Sequence, residues 1–182
     1  MSKITTKKIV FSAVSIALAT VIANYIKLPS LPFGGSSTLF SMLFVALPGY
    51  LFGPVTGLAA AIAHGIIQFI SNPYVVHPIQ VLLDYPLAFG ALGLSGFFYK
   101  KKHALIIGYS AGVFGRFVVA SISGLIFFTE YVGSLSGNMA AAWASIAYNL
   151  SYILPEFILT FVILLLPPVK NAMGYVKKLA LE

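Results

Sequence analysis

The sequence predicts an all-α integral membrane protein of six transmembrane helices with both termini cytoplasmic. Composition is the first observation behind this. Of 182 residues, 59% are hydrophobic and only 8% charged, whereas a soluble domain carries about 25% charged residues because its surface faces water. The 11 basic and 4 acidic side chains cannot coat a soluble globule of 19.5 kDa. High hydrophobicity and low charge also exclude intrinsic disorder. The second observation is a series of continuous apolar runs near the ~20 residues that a spanning helix needs. They lack the alternation of transmembrane strands. The third is that nine of the eleven Lys and Arg fall in three clusters flanking those runs, which is a topology signal rather than a nucleic-acid face.

The first run, Ile9 to Ile26, follows Lys3, Lys7 and Lys8. It is too long for a signal peptide and has no small-residue cleavage site before Lys27, so it reads as a retained helix. A Pro-, Gly- and Ser-rich loop, Lys27 to Thr38, leads to the second run, Leu39 to Phe52, shortened or kinked by Pro48 and Gly49. Gly53 and Pro54 turn the chain into the third run, Val55 to Ile70. The polar connection Ser71 to Gln80 precedes the fourth, Val81 to Phe98, which ends in Lys100, Lys101 and Lys102. The fifth, Leu105 to Phe128, carries Arg116 near its middle. A loop from Thr129 to Ala142 leads to the sixth, Ile146 to Val169, followed by the basic tail of Lys170, Lys177 and Lys178. In a six-helix arrangement the three basic clusters share one side, which the positive-inside rule makes cytoplasmic. The whole chain, residues 1–182, then forms one membrane domain with no room for a separate soluble domain. With no cysteine, disulfides and thiolate metal sites are excluded.

Two of the four acidic residues, Asp84 and Glu156, fall within apolar runs. An ionised group at membrane depth costs about 2.5–3.5 kcal/mol on insertion scales, which makes each a functional candidate. The competing reading for Glu156 is a structural pair with Arg116. Around Asp84 gather Tyr74, His77, Gln80 and Tyr85, all at the outer end of one hairpin. Aromatic faces with one carboxylate suit a flat, cationic or hydrogen-bonding heterocycle, while Tyr74 and Tyr85 also fit an interfacial aromatic belt. Helix six supplies Trp143, Tyr148, Asn149 and Tyr152; the amide of Asn149 requires a partner, either another helix or a ligand. The pairs Ala13/Ala17 and Ala19/Ala23 give helix one small-residue faces for close helix approach. Gly90 to Gly96, "GALGLSG", lies inside an apolar helix with no preceding strand and reads as packing. No GxxxxGK, HExxH or GxSxG motif occurs, and the three His are scattered, so neither ATP-driven transport by this chain alone nor intramembrane hydrolysis is expected. No cofactor, metal or nucleic-acid partner is expected.

The stretch "HPIQVLLDYPLAFGALGLSG" closely resembles the thiamine-specific substrate-binding subunits (S components) of energy-coupling factor (ECF) transporters. "GGSSTLFSML", "GRF…SISG…FFTEY" and "YNLSYILPE" are similar to the same family, so the resemblance covers nearly the whole chain. It implies a vitamin-binding subunit in the bacterial plasma membrane that associates with a scaffold membrane subunit and two ATPases. The family's carboxylate–tyrosine pair falls on Asp84 and Tyr85, its loop tyrosine on Tyr74, and its helix-six asparagine on Asn149. The helix-one pair Ala13 and Ala17 matches the family's docking pattern. Three positions depart from it: the helix-five histidine is Ala120, an aromatic that is often tryptophan is Phe128, and a loop-one tryptophan is Gly34 or Gly35. Sites built to hydrogen-bond a group discriminate strongly, so thiamine stands beside pyridoxine and hydroxymethylpyrimidine as the expected ligand. A stand-alone secondary transporter, with Asp84, Arg116 and Glu156 as its only buried ionisable groups, is the remoter alternative.

Overall fold

The computed structural model describes residues 6–26, 37–127 and 137–182. Among the described residues there are seven helices: α1 Thr6–Tyr25, α2 Ser41–Phe52, α3 Pro54–Ser71, α4 Pro78–Phe98, α5 Ala104–Phe127, α6 Gly137–Leu165 and α7 Pro167–Leu181. Five of them, α1, α3, α4, α5 and α6, are long and apolar enough to cross a membrane. All six expected runs are helical, and two elements differ from the sequence reading in length or extent. The 12-residue α2 rises only about 18 Å at 1.5 Å per residue, short of the ~30 Å hydrocarbon thickness. And the basic tail is not a tail but a seventh helix, which starts where Pro167 and Pro168 provide a fixed φ and need no backbone donor.

Contacts fix the two ends of the bundle. At one end Phe11 packs edge-on against Phe52 at 6.3 Å, and the Lys177 ammonium donates to the Tyr99 carbonyl at 3.0 Å. The N-terminal lysines of α1, the Lys100–Lys102 turn and α7 thus lie together. Packing against the Tyr50 ring, 4.5 Å away, lowers the pKa of Lys177 through loss of solvation. At the opposite end Asn72 donates to Asn24 at 2.7 Å, joining the last turns of α1 and α3.

The lower half of α4 is held by glycines. A Cβ on Gly93 would lie 2.6 Å from the Leu58 Cα, and one on Gly57 would lie 2.6 Å from the Gly49 Cα. A Cβ on Gly112 of α5 would come within 2.8 Å of the Leu92 carbonyl. Residues Ala91–Phe98 run as a 3₁₀ helix, whose tighter turn is usually confined to three or four residues. Here α2, α3 and α5 all press against it. Ser95, itself buried, donates to the Ala46 carbonyl of α2 at 2.7 Å. "GALGLSG" is a packing motif, and the long apolar side chains Val55, Ile70 and Phe114 point outward, as in a helix bundle facing lipid.

Candidate functional site

Above that glycine-packed half, α4 changes character. Pro86 has no N–H, and its ring would clash with the carbonyl four residues back in a regular helix. The chain widens into a π-helical turn, Leu83–Leu87, that carries Asp84 and Tyr85; such turns are frequent at functional sites. The turn sits against α3, where a Cβ on Gly65 would meet the Tyr85 carbonyl and the Pro86 Cα.

Side chains of α4 then tie down the preceding loop. Gln80, buried, accepts from the Val76 amide at 3.0 Å and donates to the Tyr74 carbonyl and to the Asp84 carboxylate. The Tyr85 hydroxyl accepts from the Tyr74 amide at 2.9 Å and donates to the Asn72 carbonyl at 2.7 Å. The carboxylate of Asp84 is thereby oriented by a neutral amide four residues earlier.

Two neighbouring cavities open beside this turn. One, of about 510 Å³, is lined by Tyr74, Gln80, Asp84, Ala120, Phe127 and Asn149, among others. The other, of about 390 Å³, lies toward α1 and α2 and includes Thr38, Ser41, Gln68, Asn72 and Glu156. Tyr85, Arg116, Tyr148 and Tyr152 line both and form the wall between them. Each volume falls within the ~300–1,000 Å³ range of small-molecule sites. Counted as ionised, the charged lining groups are two carboxylates, Asp84 and Glu156, and one guanidinium, Arg116, a formal −1 across the pair.

The sequence-predicted residues are largely brought together. Asp84, Tyr85, Tyr74, Gln80 and Asn149 all line the larger cavity. Asn149 finds its partners within α6: its amide donates to the Ser145 carbonyl at 2.9 Å, and its carbonyl accepts from the Tyr152 hydroxyl. His77 lines neither cavity. Its Nδ1 accepts from the Ile79 amide at 3.2 Å, which caps α4, and its ring stacks on Phe127 at 5.3 Å. Phe128, Gly34 and Gly35 lie outside the described residues, although the adjacent Phe127 lines the larger cavity. Ala120 also lines it, so the position where the resemblance expects histidine does face the ligand space.

The suggested pairing of Glu156 with Arg116 is corrected. Glu156 and Arg116 form no ion pair among the described residues, where Lys178 pairs with Glu182. Glu156, 3% exposed, instead accepts from the Met42 amide at 2.8 Å, Thr38 at 2.8 Å and Ser41 at 3.1 Å. A carboxylate from α6 thus caps the positive N-terminal end of α2. Arg116 lies over the Phe89 ring at 4.3 Å. That ring meets buried His64 edge-on at 5.1 Å, and His64 in turn contacts Thr20 at 3.3 Å and Gln68 at 3.4 Å. The sequence offered Arg116 as a structural partner for Glu156. The place of Arg116 on the shared wall depends on a partner 27 residues away in the chain, which no local pattern reveals.

Fold and site together define a multi-pass membrane protein built around a cleft for a small molecule. The family profile described as "Thiamine transporter protein (Thia_YuaJ)" matches residues 9–175. The thiamine transporter ThiT of Bacillus subtilis (strain 168) is 34% identical over 152 residues, covering 75% of this chain and 77% of that protein. A solved structure of ThiT from Listeria monocytogenes shares the fold, with a TM-score of 0.61 at 20% identity over 89% of this chain and 93% of that one. The chain belongs to the thiamine transporter family. It is a transport protein of the cell membrane and not an enzyme.

Proposed function

We propose that the chain is the substrate-binding S component of an energy-coupling factor importer and that its cargo is thiamine. The observation that carries this reading is the aromatic-walled cavity pair with Asp84 on a π-helical turn and a formal charge of −1. Thiamine is a monocation whose two flat rings are joined by a methylene bridge, so one bound molecule balances that formal charge. Pyridoxine and hydroxymethylpyrimidine, neutral near pH 7, do not. The positive-inside rule places the lysine-rich end in the cytoplasm, so the Asp84 end faces outward, where an imported vitamin arrives. Both termini are then cytoplasmic.

The test is calorimetric titration of the purified protein with the three compounds. Thiamine is expected to bind at least tenfold more tightly than either neutral ring, since one charge-assisted contact contributes about 1.5–3 kcal/mol and a decade requires 1.4 kcal/mol. Binding of a neutral ring alone would move the cargo to pyridoxine or the pyrimidine on the same scaffold.

For the scaffold and ATPase partners, α1 supplies the support. Ala13 and Ala17 are exposed, whereas Ala19, on the other small-residue face, is fully buried in the bundle. The outward pair suits close approach by a partner helix. Ala13→Leu or Ala17→Leu is expected to abolish uptake in cells that carry the partner subunits while thiamine affinity stays unchanged. Ion-gradient-driven uptake into vesicles containing this protein alone would instead establish a self-sufficient secondary transporter.

A further inference from the structure

Helix α7 lines neither cavity, yet its surface is divided too sharply for a passive tail. Its inner stripe is half-buried at Val169, Met173 and Val176 and buried at Ala180, and Val169, Met173 and Ala180 pack on the bundle. A second apolar stripe, Pro168, Ala172, Tyr175 and Leu179, recurs at i, i+4, i+7 and i+11 and is exposed, with Tyr175 64% and Leu179 43% accessible. At 3.6 residues per turn the two stripes, offset by one residue throughout, are about 100° apart. Lys170, Asn171, Lys178 and Glu182, with Gly174 and the exposed Leu181 of the last turn, occupy the remaining arc. Lys178 and Glu182 are 3.6 Å apart and both exposed, a contact worth little in water. Lys177 anchors the helix to Tyr99 beside Lys100, Lys101 and Lys102.

We infer that α7 is an interfacial helix that lies along the bilayer surface, with Pro168, Ala172, Tyr175 and Leu179 against the acyl boundary and its lysines among anionic phospholipid headgroups. Low overall hydrophobicity, a lysine-bearing polar face and an aromatic–leucine face are the marks of helices that lie on a membrane rather than cross it. The occupant is fixed by charge: the exposed lysines of α7 and of the adjoining turn lie at one end with a single carboxylate, Glu182, on the helix. Anionic headgroups attract such clusters within a Debye length of the surface. The inference rests on α7 alone and stands apart from the identity of the cargo.

The chain has no cysteine, so Tyr175→Cys, Leu179→Cys, Asn171→Cys and Lys178→Cys each give one site for a nitroxide label. The four labelled proteins are compared in nanodiscs of phosphatidylcholine with and without phosphatidylglycerol. With phosphatidylglycerol present, the ratio of relaxation by oxygen to relaxation by a water-soluble nickel chelate is expected to be severalfold higher at 175 and 179 than at 171 and 178. Omitting phosphatidylglycerol, or combining Lys170→Gln with Lys178→Gln in the 175-labelled protein, should reduce that contrast. Equal accessibility at all four positions, or a contrast indifferent to phosphatidylglycerol and to the two lysines, would overturn the inference. Paired labels on each face keep the result readable if one variant fails to fold.

Discussion

Asp84→Asn is expected to weaken thiamine binding at least tenfold while leaving the fold intact. The substitution is nearly isosteric, and an asparagine carbonyl still accepts from Gln80 as the Asp84 carboxylate does. What disappears is the negative charge that faces the larger cavity. A charge-assisted hydrogen bond contributes about 1.5–3 kcal/mol, and 1.4 kcal/mol is a decade in affinity. Affinity for the neutral hydroxymethylpyrimidine should fall less than affinity for the cation, because only the cation loses a counter-charge. Calorimetry on wild type and variant reads both ligands; an unchanged thiamine affinity removes Asp84 from the site.

The second large effect concerns stability. Glu156→Ala is expected to lower the unfolding temperature of the detergent-solubilised protein. Two opposing contributions decide the size. Removing a buried charge relieves an insertion cost of about 2.5–3.5 kcal/mol, but three donors lose their acceptor. The Thr38 and Ser41 hydroxyls lie within hydrogen-bond reach of each other, so one can turn to donate to the other, whereas the Met42 amide is left buried and unpaired at a cost of about 1–3 kcal/mol. The lost charge-assisted bonds add about 1.5–3 kcal/mol each, so destabilisation wins. A net loss of about 2 kcal/mol corresponds to roughly 4–8 °C for a chain of this size. Glu156→Gln retains an acceptor for the Met42 amide and should lie between alanine and wild type. If the two variants melt together with wild type, the capping role is wrong.

Most of the architecture was legible because lipid exposure writes long apolar runs into the sequence. The run from Val55 to Ile70 is the helix Pro54–Ser71, and the run from Leu105 to Phe128 is the helix Ala104–Phe127. Helix α6 was placed too late and ended too late. It begins at Gly137, in a segment whose run of alanines, Ala140 to Ala142, favours helix, and it stops at Leu165, because a residue preceding proline avoids the helical region. Helix α7 was hidden by its lysines, which lower its hydropathy below that of a span while preserving helical spacing.

At the site, residue types were readable and partnerships were not. A carboxylate, two tyrosines and a glutamine within one hairpin announced the larger cavity. That Glu156 caps α2, that Arg116 rests on Phe89 and that His77 caps its own helix all depend on which atoms the fold brings within reach. The π-helical turn had a single local sign, Pro86, and its effect on the direction of Asp84 follows from three-dimensional packing.

That turn also divides the fourth helix into two parts with different tolerance for change. Below Gly90 the backbone is clamped on three sides, with no space for even a methyl group at Gly93 or Gly96. Above it, Asp84 and Tyr85 project from a widened turn beside Ala120, where side-chain volume is open. The helix is a fixed shank with an exchangeable tip. New cargo preferences are therefore best sought by varying positions 84, 85 and 120 together, with the glycines left alone.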